Sequence, residues 1–287
     1  MEADDMARRT KPAIRKATAY IVLIAIGALM VYPILFLISA SFKTNQELFG
    51  SASLLPKSLS LSAYAEAWSG VGRNSFARFL GNTFILVIPT VAFTIVSSTI
   101  VAYGFARFNF PFKRVLTLLM ISTLMLPNAV LVIPRYIMFT RFGWANTYLP
   151  FIVPALFACY PFFIFLLMQF MRGIPRELDE AAFIDGCGSF RILVDVIAPL
   201  CAPALFSAGI LQFIWTWNDF FNSLIYINSV SKFPIALGLR LGMDTAGDIS
   251  WNKIMAMSFM SIVPCVVLFF SAQKSFIEGI ATTGMKG

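Results

Sequence analysis

The chain of 287 residues contains no histidine. That removes the commonest metal ligand and the general base best matched to neutral pH. Only 13% of the residues are charged, against about a quarter in a soluble domain, so a water-soluble globular domain is excluded. Cys159, Cys187, Cys201 and Cys265 are scattered without a C-x-x-C pair. They indicate neither a zinc site nor a disulfide framework and read as small apolar fillers. A lysine after the second glycine is missing from the one stretch that mimics a phosphate-binding loop, which runs from Gly279 to Gly284 and continues with Met285; no nucleotide is bound by that device. Intramembrane proteolysis or lipid transfer would need buried histidine, a Ser–Lys pair or paired aspartates, and none occurs at a useful spacing. No catalytic, cofactor-binding or metal-binding residue is therefore expected in this chain.

What the chain has instead is apolar length. Hydrophobic residues make up 59%, and six stretches without charge are long enough for a bilayer crossing, which takes about 20 residues. They are 17–42, 79–106, 115–134, 142–171, 196–218 and 254–273. The spans themselves are placed at about 17–42, 79–106, 115–137, 149–171, 201–227 and 254–274, the fifth running past Asp219. Each stretch carries proline (Pro33, Pro89, Pro127, Pro154 with Pro161, Pro203, Pro264), which membrane helices tolerate where neighbours satisfy the freed carbonyls. The first run is too long for a signal-peptide core and reads as a retained span. The fold class expected is an all-α integral membrane protein with six transmembrane helices. A 1–16 arm, a single membrane domain over 17–278 with a loop at 172–200, and a 279–287 tail are its parts.

The net charge of +8 fits the positive-inside rule better than nucleic-acid binding. Arg8, Arg9, Lys11, Arg15 and Lys16 precede the first span, and Arg107, Lys113 and Arg114 follow the second with no acid among them. In a six-span order these lie on one side with the 172–200 loop and both termini, which makes that side cytoplasmic. The 43–78 segment, a 135–141 turn and the 229–253 loop face the other side.

The 172–203 stretch breaks this apolar pattern. Pro175 stands where a helix can begin, and Glu177, Asp179 and Glu180 fall in its first turns, at the positive end of the helix dipole. Gly186 stands where one ends, so 176–185 reads as a short helix. Ser189 reads as the N-cap of a second, with Phe190, Leu193, Val194 and Ile197 on one stripe and Arg191 paired with Asp195 at i, i+4. The small Ala181 and Ala182 let the first helix approach another surface closely. The whole is a helix–glycine–helix hook beside a membrane.

Glu180-Ala181-Ala182, three residues, Gly186, nine residues and Val196-Ile197-Ala198-Pro199 resemble the E-A-A loop of ABC-importer permeases. Val196 and Ala198 replace the isoleucine and leucine of that pattern. Trp217-Asn218-Asp219-Phe220 resembles the W-N-[DE]-[FY] stretch in the fifth span of the MalG-type permeases of carbohydrate ABC importers, and 278–287 resembles their G-L-T-x-G-x-V-K-G ending, with Ile280 and Met285 departing from it. The resemblance covers nearly the whole chain. It implies a non-catalytic permease subunit in a bacterial inner membrane, with a bundle of the type I importer kind. The implied partners are a second permease chain, two ATPase subunits that carry ATP and magnesium, and an extracytoplasmic solute-binding protein delivering a sugar or oligosaccharide; a non-sugar solute such as glycerol phosphate is the alternative. The hook, through Glu180, Ala181, Ala182, Asp185 and Gly186, is then the coupling element that meets the ATPase. Thr282, Thr283, Gly284 and Lys286 form a tail in reach of the same partner. Trp215, Trp217, Asn218, Asp219 and Phe220 are candidates for the solute path, because a carboxylate at membrane depth usually faces a polar cavity or a partner. The other reading of that cluster is an interfacial aromatic belt with Asp219 reaching outward. A secondary transporter would instead carry its own coupling site and usually an inverted repeat, and no repeat is evident.

Overall fold

In a bilayer every backbone N–H and C=O must be satisfied within the chain, so apolar runs fold as helices and proline decides where they break. The computed structural model describes residues 2–51, 53–57, 59–243 and 249–284, with side chains for 16, 18–51, 53–57, 59–243 and 249–271. The helices are α1 (Glu2–Ser41), α2 (Asn45–Gly50), α3 (Ser62–Ser69), α4 (Phe76–Arg107), α5 (Lys113–Leu124), α6 (Asn128–Arg141), α7 (Leu149–Leu156), α8 (Pro161–Arg172), α9 (Glu177–Ile184), α10 (Ser189–Ile192), α11 (Ala198–Leu200), α12 (Ala202–Trp217), α13 (Phe220–Tyr226), α14 (Ile235–Met243) and α15 (Trp251–Gly284). A π-helical turn, Leu193–Ile197, joins α10 to α11, and Val230–Lys232 forms a 3-10 turn. No strand occurs among the described residues beyond a single bridge between Val71 and Asn74.

Four segments are long and apolar enough to cross a membrane: Thr18–Ser41, Phe76–Arg107, Leu149–Arg172 and Trp251–Ser271. Two bent pairs bring the number to six if each is one crossing: α5 with α6, bent by 101°, and Ser189–Leu200 with α12, bent by 80°. The first bend has a simple cause. Pro127 cannot continue a helix and forces Leu126 out of helical geometry, so the run expected to be one span at 115–137 becomes two helices. The turn expected at 135–141 is instead helical, since α6 continues to Arg141. The run expected to continue to about 227 also divides. α12 stops at Trp217, where the Asn218 side chain returns to the Ile214 carbonyl at 2.9 Å, and Asp219 caps α13 by accepting from the Asn222 N–H at 3.0 Å.

The chain forms two compact units, one of residues 1–69 with 245–260 and one of 70–244 with 261–287. In the first, Ser41 Oγ and the Tyr64 hydroxyl lie 2.7 Å apart, the buried Lys43 ammonium donates to the Ser53 carbonyl, and Asn45 bonds the backbone at Ile249 and Asn252. The expected outer segment is thus partly helical, through α2 and α3.

In the second unit α4 is the shared wall, packing against α7, α8, α12 and α14. Its buried face repeats every three or four residues through Thr83, Val87, Thr90, Thr94, Ser98, Ala102 and Ala106. Small side chains there let neighbouring backbones come close, and the Ser97 hydroxyl donates to the Ala155 carbonyl of α7 at 2.6 Å. Polar side chains pin the segment after α13. Asn146 accepts from the N–H groups of Asn228 and Ser229, Asn82 donates to the carbonyls of Ser231 and Phe233, and Thr83 Oγ1 accepts from the Ile235 N–H at 2.8 Å. Gly238 of α14 then sits on the Phe79 ring, where an added Cβ would lie 2.7 Å from ring carbons.

That contact yields a test. Gly238→Val overpacks a site whose partner is fully buried and is expected to destabilise the fold by about 1–3 kcal/mol, read as a lower melting temperature of the detergent-purified chain. Gly104→Ala, on the same α4 wall but with open space around its Cβ, should leave the melting temperature unchanged or raise it.

Candidate functional site

The hook lies in the second unit, between α8 and α12. Its first helix follows Pro175, starts with three carboxylates in the first turn and ends at Asp185. Gly186 takes φ +83°. The N–H groups of Gly186 and Cys187 return to the carbonyls of Phe183 and Ala182, both at 3.0 Å. These two bonds are the Schellman stop that glycine makes cheap, and they turn the chain toward α10. Gly188, not Ser189, holds the cap position of α10, and Ser189 makes no capping bond.

The stripe expected on the second helix is split. Leu193 and Ile197 are buried with Ile192, whereas Phe190 is 72% exposed and Val194 is exposed. Leu193–Ile197 is a π turn in which the Ala198 N–H reaches the Leu193 carbonyl. Pro199 explains it: an α-helical proline has no N–H and its ring meets the carbonyl four residues back, here that of Asp195. The wider turn relieves that collision and shifts every later side chain around the axis. Arg191 and Asp195 pair at 3.1 Å, an exposed pair that adds little.

The two alanines also differ in role. Ala182 is buried in a core with Ala106, Met171, Ile192 and Ile197, while Ala181 and Glu180 face outward. Phe183 and Ile184 are 72% and 83% exposed. The outer face of the hook therefore combines Glu180, Asp185 and three large apolar side chains, counting Phe190. An apolar patch of this kind beside charged groups is a protein-docking surface more readily than a solvent surface.

One residue locks the hook to the membrane helices, although in the sequence it stands out only as one of the positive charges after the second span. Arg107, at the last turn of α4, is 7% exposed in its side chain and lies 3.1 Å from the Asp179 carboxylate. It also donates from Nη1 to the Ile174 carbonyl at 3.1 Å. The Nε–H is not aligned as a hydrogen bond to Asp179, so charge holds that pair. A cavity of about 350 Å³ along the hook is lined by Tyr103, Arg107, Asp179 and Ile192 and by the exposed Glu180, Phe183 and Ile184. The available signal is an arginine in a link without acids and a hook whose first helix and its end carry four carboxylates, Glu177, Asp179, Glu180 and Asp185.

The aromatic cluster of the fifth run does not share one surface. Trp217 is 3% exposed; its indole N–H donates to the Ser261 carbonyl at 3.2 Å, and its ring meets Phe84 and Phe213. Trp215 is half exposed, against Phe162 and Phe163. Asn218 is exposed, and Phe220 lies beneath the Arg240 guanidinium at 5.6 Å. Both Asp219 oxygens accept from Asn222 Nδ2, at 3.0 and 2.8 Å. Thr282, Thr283 and Gly284 form the last turn of α15; their side chains, and Lys286 altogether, lie outside the described residues. No group of three or more metal-ligating side chains occurs among the described residues.

Residues 94–278 match the family described as the binding-protein-dependent transport system inner membrane component, and the chain belongs to that family. It is 32% identical over 289 residues to the probable ABC transporter permease protein YurM of Bacillus subtilis, covering 100% of this chain and 94% of that one. It is 29% identical over 271 residues to the trehalose/maltose transport system permease protein MalG of Thermococcus litoralis, covering 93% and 97%. A chain of a bacterial ABC transporter involved in the import of the acidic polysaccharide alginate has the same fold, with a TM-score of 0.82 and 22% identity over 92% of this chain and 96% of that one. The fold is thus an all-α membrane permease of the ABC importer kind.

Asp179→Ala should strand the Arg107 charge. Removing one partner of a buried pair costs about 3–5 kcal/mol, and with Asp179 partly exposed the loss should be nearer about 2 kcal/mol. The expected outcome is faster tryptic cleavage at Arg176 and Arg191 in the detergent-purified chain, with α4 and α8 uncut. Cleavage unchanged from wild type would show that the tether does not hold the hook.

Proposed function

We propose that this chain is a permease subunit of an ATP-binding-cassette importer and forms, with a second permease chain, the path for a sugar or oligosaccharide. A solute-binding protein delivers the solute, and ATP, with its magnesium, is hydrolysed on separate ATPase subunits; the chain itself is not catalytic. The observation that carries the docking part is the hook's outer face, with Phe183, Ile184 and Phe190 exposed beside Glu180 while Ala182 and Asp179 are fixed to the membrane helices. Force on that face passes through Arg107 to α4 and through the π turn to α12. The sugar is supported by the names of relatives, trehalose/maltose among them, over a non-sugar solute such as glycerol phosphate. The cell membrane is the location, with both termini and the hook on the cytoplasmic side, in keeping with the arginines and lysines at 8–16 and 107–114. The tail residues Thr282, Thr283, Gly284 and Lys286 are proposed to meet the ATPase pair as well. Of the fifth-run cluster, the exposed Trp215, Asn218 and Phe220 are placed at the solute path with Asp219, and Trp217 behind them as their anchor.

Two measurements test this reading. In a cysteine-free background, a thiol at Ser62 should react with an impermeant maleimide from outside intact cells, and one at Ser189 only after permeabilisation. The reverse pattern would put the hook on the wrong side for an ATPase.

Glu180→Lys and Gly186→Val address coupling in liposomes holding all subunits. A side chain at the left-handed Gly186 costs about 1–2 kcal/mol of backbone strain, without any clash for its Cβ. Both variants should stay paired with the second permease chain, yet lose ATPase subunits or hydrolyse ATP without matching uptake. Wild-type stoichiometry, turnover and uptake in both would leave the hook an ordinary loop.

A further inference from the structure

The breaks in the membrane helices surround a second cavity, of about 730 Å³, within the range of small-ligand sites. Its wall is built from α5, α6, α7, α8 and α13, and includes Arg135, Cys159, Tyr160 and Asn222. Tyr160 stands halfway along the Leu149–Arg172 crossing, at the gap between α7 and α8 where Ala158 takes φ +55°. The cavity therefore reaches the middle of the membrane.

The polar groups around it are incompletely paired. Among the described residues lining it, Arg135 is the one charged side chain, and no described carboxylate lies at ion-pair distance from it. The Asp219 carboxylate oxygens are occupied by Asn222. Turning its amide N–H groups to Asp219 leaves the Asn222 carbonyl oxygen buried without a partner. The Tyr160 hydroxyl makes only a long hydrogen bond, 3.4 Å, to the Phe151 carbonyl. Buried polar groups left so are costly unless a ligand or water completes them. Here donors (Arg135, Tyr160) and an acceptor (Asn222) line a cavity whose wall also includes the aromatic rings of Tyr160 and Phe139. A ligand that both donates and accepts hydrogen bonds and offers a flat apolar face fits this set. A saccharide ring is such a ligand; a lipid chain is not.

We propose that this cavity is a binding site for a saccharide unit of the transported solute, with Arg135, Asn222 and Tyr160 as the residues that read its hydroxyls; this rests on the sugar-importer reading above. Helices broken near the bilayer middle form solute sites in other transporters for the same reason, since irregular backbone is tolerated where it lines a cavity.

Cys159 is an exposed thiol on the cavity wall and serves as the reporter. With Cys187, Cys201 and Cys265 replaced by serine or alanine in the assembled importer, sugar-loaded binding protein and ATP should slow maleimide modification of Cys159, read by mass on this chain. Arg135→Ala and Asn222→Ala should abolish that protection and raise the KM for sugar uptake about tenfold, the size expected for one charged or buried hydrogen bond, while Arg135→Lys should keep part of both. Where Arg135→Ala fails to assemble with its partners, Arg135→Gln carries the test. Uptake by the wild-type complex with Cys159 unprotected and KM unchanged in both variants would overturn the proposal alone. Protection by added lipid and not by sugar would make the cavity a lipid site and overturn it too. A complex that assembles and hydrolyses ATP but imports no sugar would overturn the sugar-importer reading, and this site with it.

Discussion

The second unit depends on one guanidinium. Arg107 closes α4, reaches the carbonyl of Ile174 just beyond α8 and sits against the carboxylate of Asp179 in α9. Two stretches far apart in sequence, the end of α4 and the 174–179 entry to the hook, are thus held by a single buried side chain. Its position makes chemical sense: an arginine at the end of an apolar helix needs a partner when water is scarce, and a carboxylate on the hook supplies one. Arginine suits the place better than lysine would, because its planar fork can address a carbonyl and a carboxylate in different directions at once. The small residues of α4, Ala102 and Ala106, bring the neighbouring helices close enough for that short reach.

The hook and the membrane cavity are connected through shared elements. α8 begins at Pro161 beside the cavity and ends at Arg172, where the hook starts. α12 follows the hook and leads to Asp219 and α13. Two short rigid helices therefore link a surface suited to a partner with a cavity suited to a solute. Each link is flanked by a break, at 157–160 for α8 and at Leu193–Ile197 and Cys201 for α12, and both pack against α4.

Much of this was legible in the residues. The E-A-A spacing, the glycine and the proline led to the family, and the left-handed turn at Gly186 follows from what glycine alone does easily. Other features were hidden because they depend on partners distant in sequence. Ala181 and Ala182 look alike until packing places one outward and the other in the core. The stripe from Phe190 to Ile197 assumed an unbroken 3.6-residue period, and Pro199 alters that period by widening the preceding turn. Trp217 looked like a ligand platform, but its indole is used by the Ser261 carbonyl, far along the chain. Arg135 reads from the sequence as lying where the third span meets an outer turn; Pro127 divides that run earlier, and the arginine is carried onto a helix that lines a cavity.

The brevity of α12 has a consequence for how the chain enters a membrane. Sixteen residues at about 1.5 Å each span about 24 Å, short of a hydrocarbon core of about 30 Å. The helix cannot bridge the bilayer unaided, and the polar side chains of Asn218 and Asp219 that follow it would meet acyl chains if the segment were inserted singly. The insertion machinery thus receives a segment that is marginal in isolation and becomes acceptable only once α4 and α8 are present to cover it. Those two precede it in the chain, so the order of synthesis is also the order in which the fifth crossing becomes tolerable to lipid.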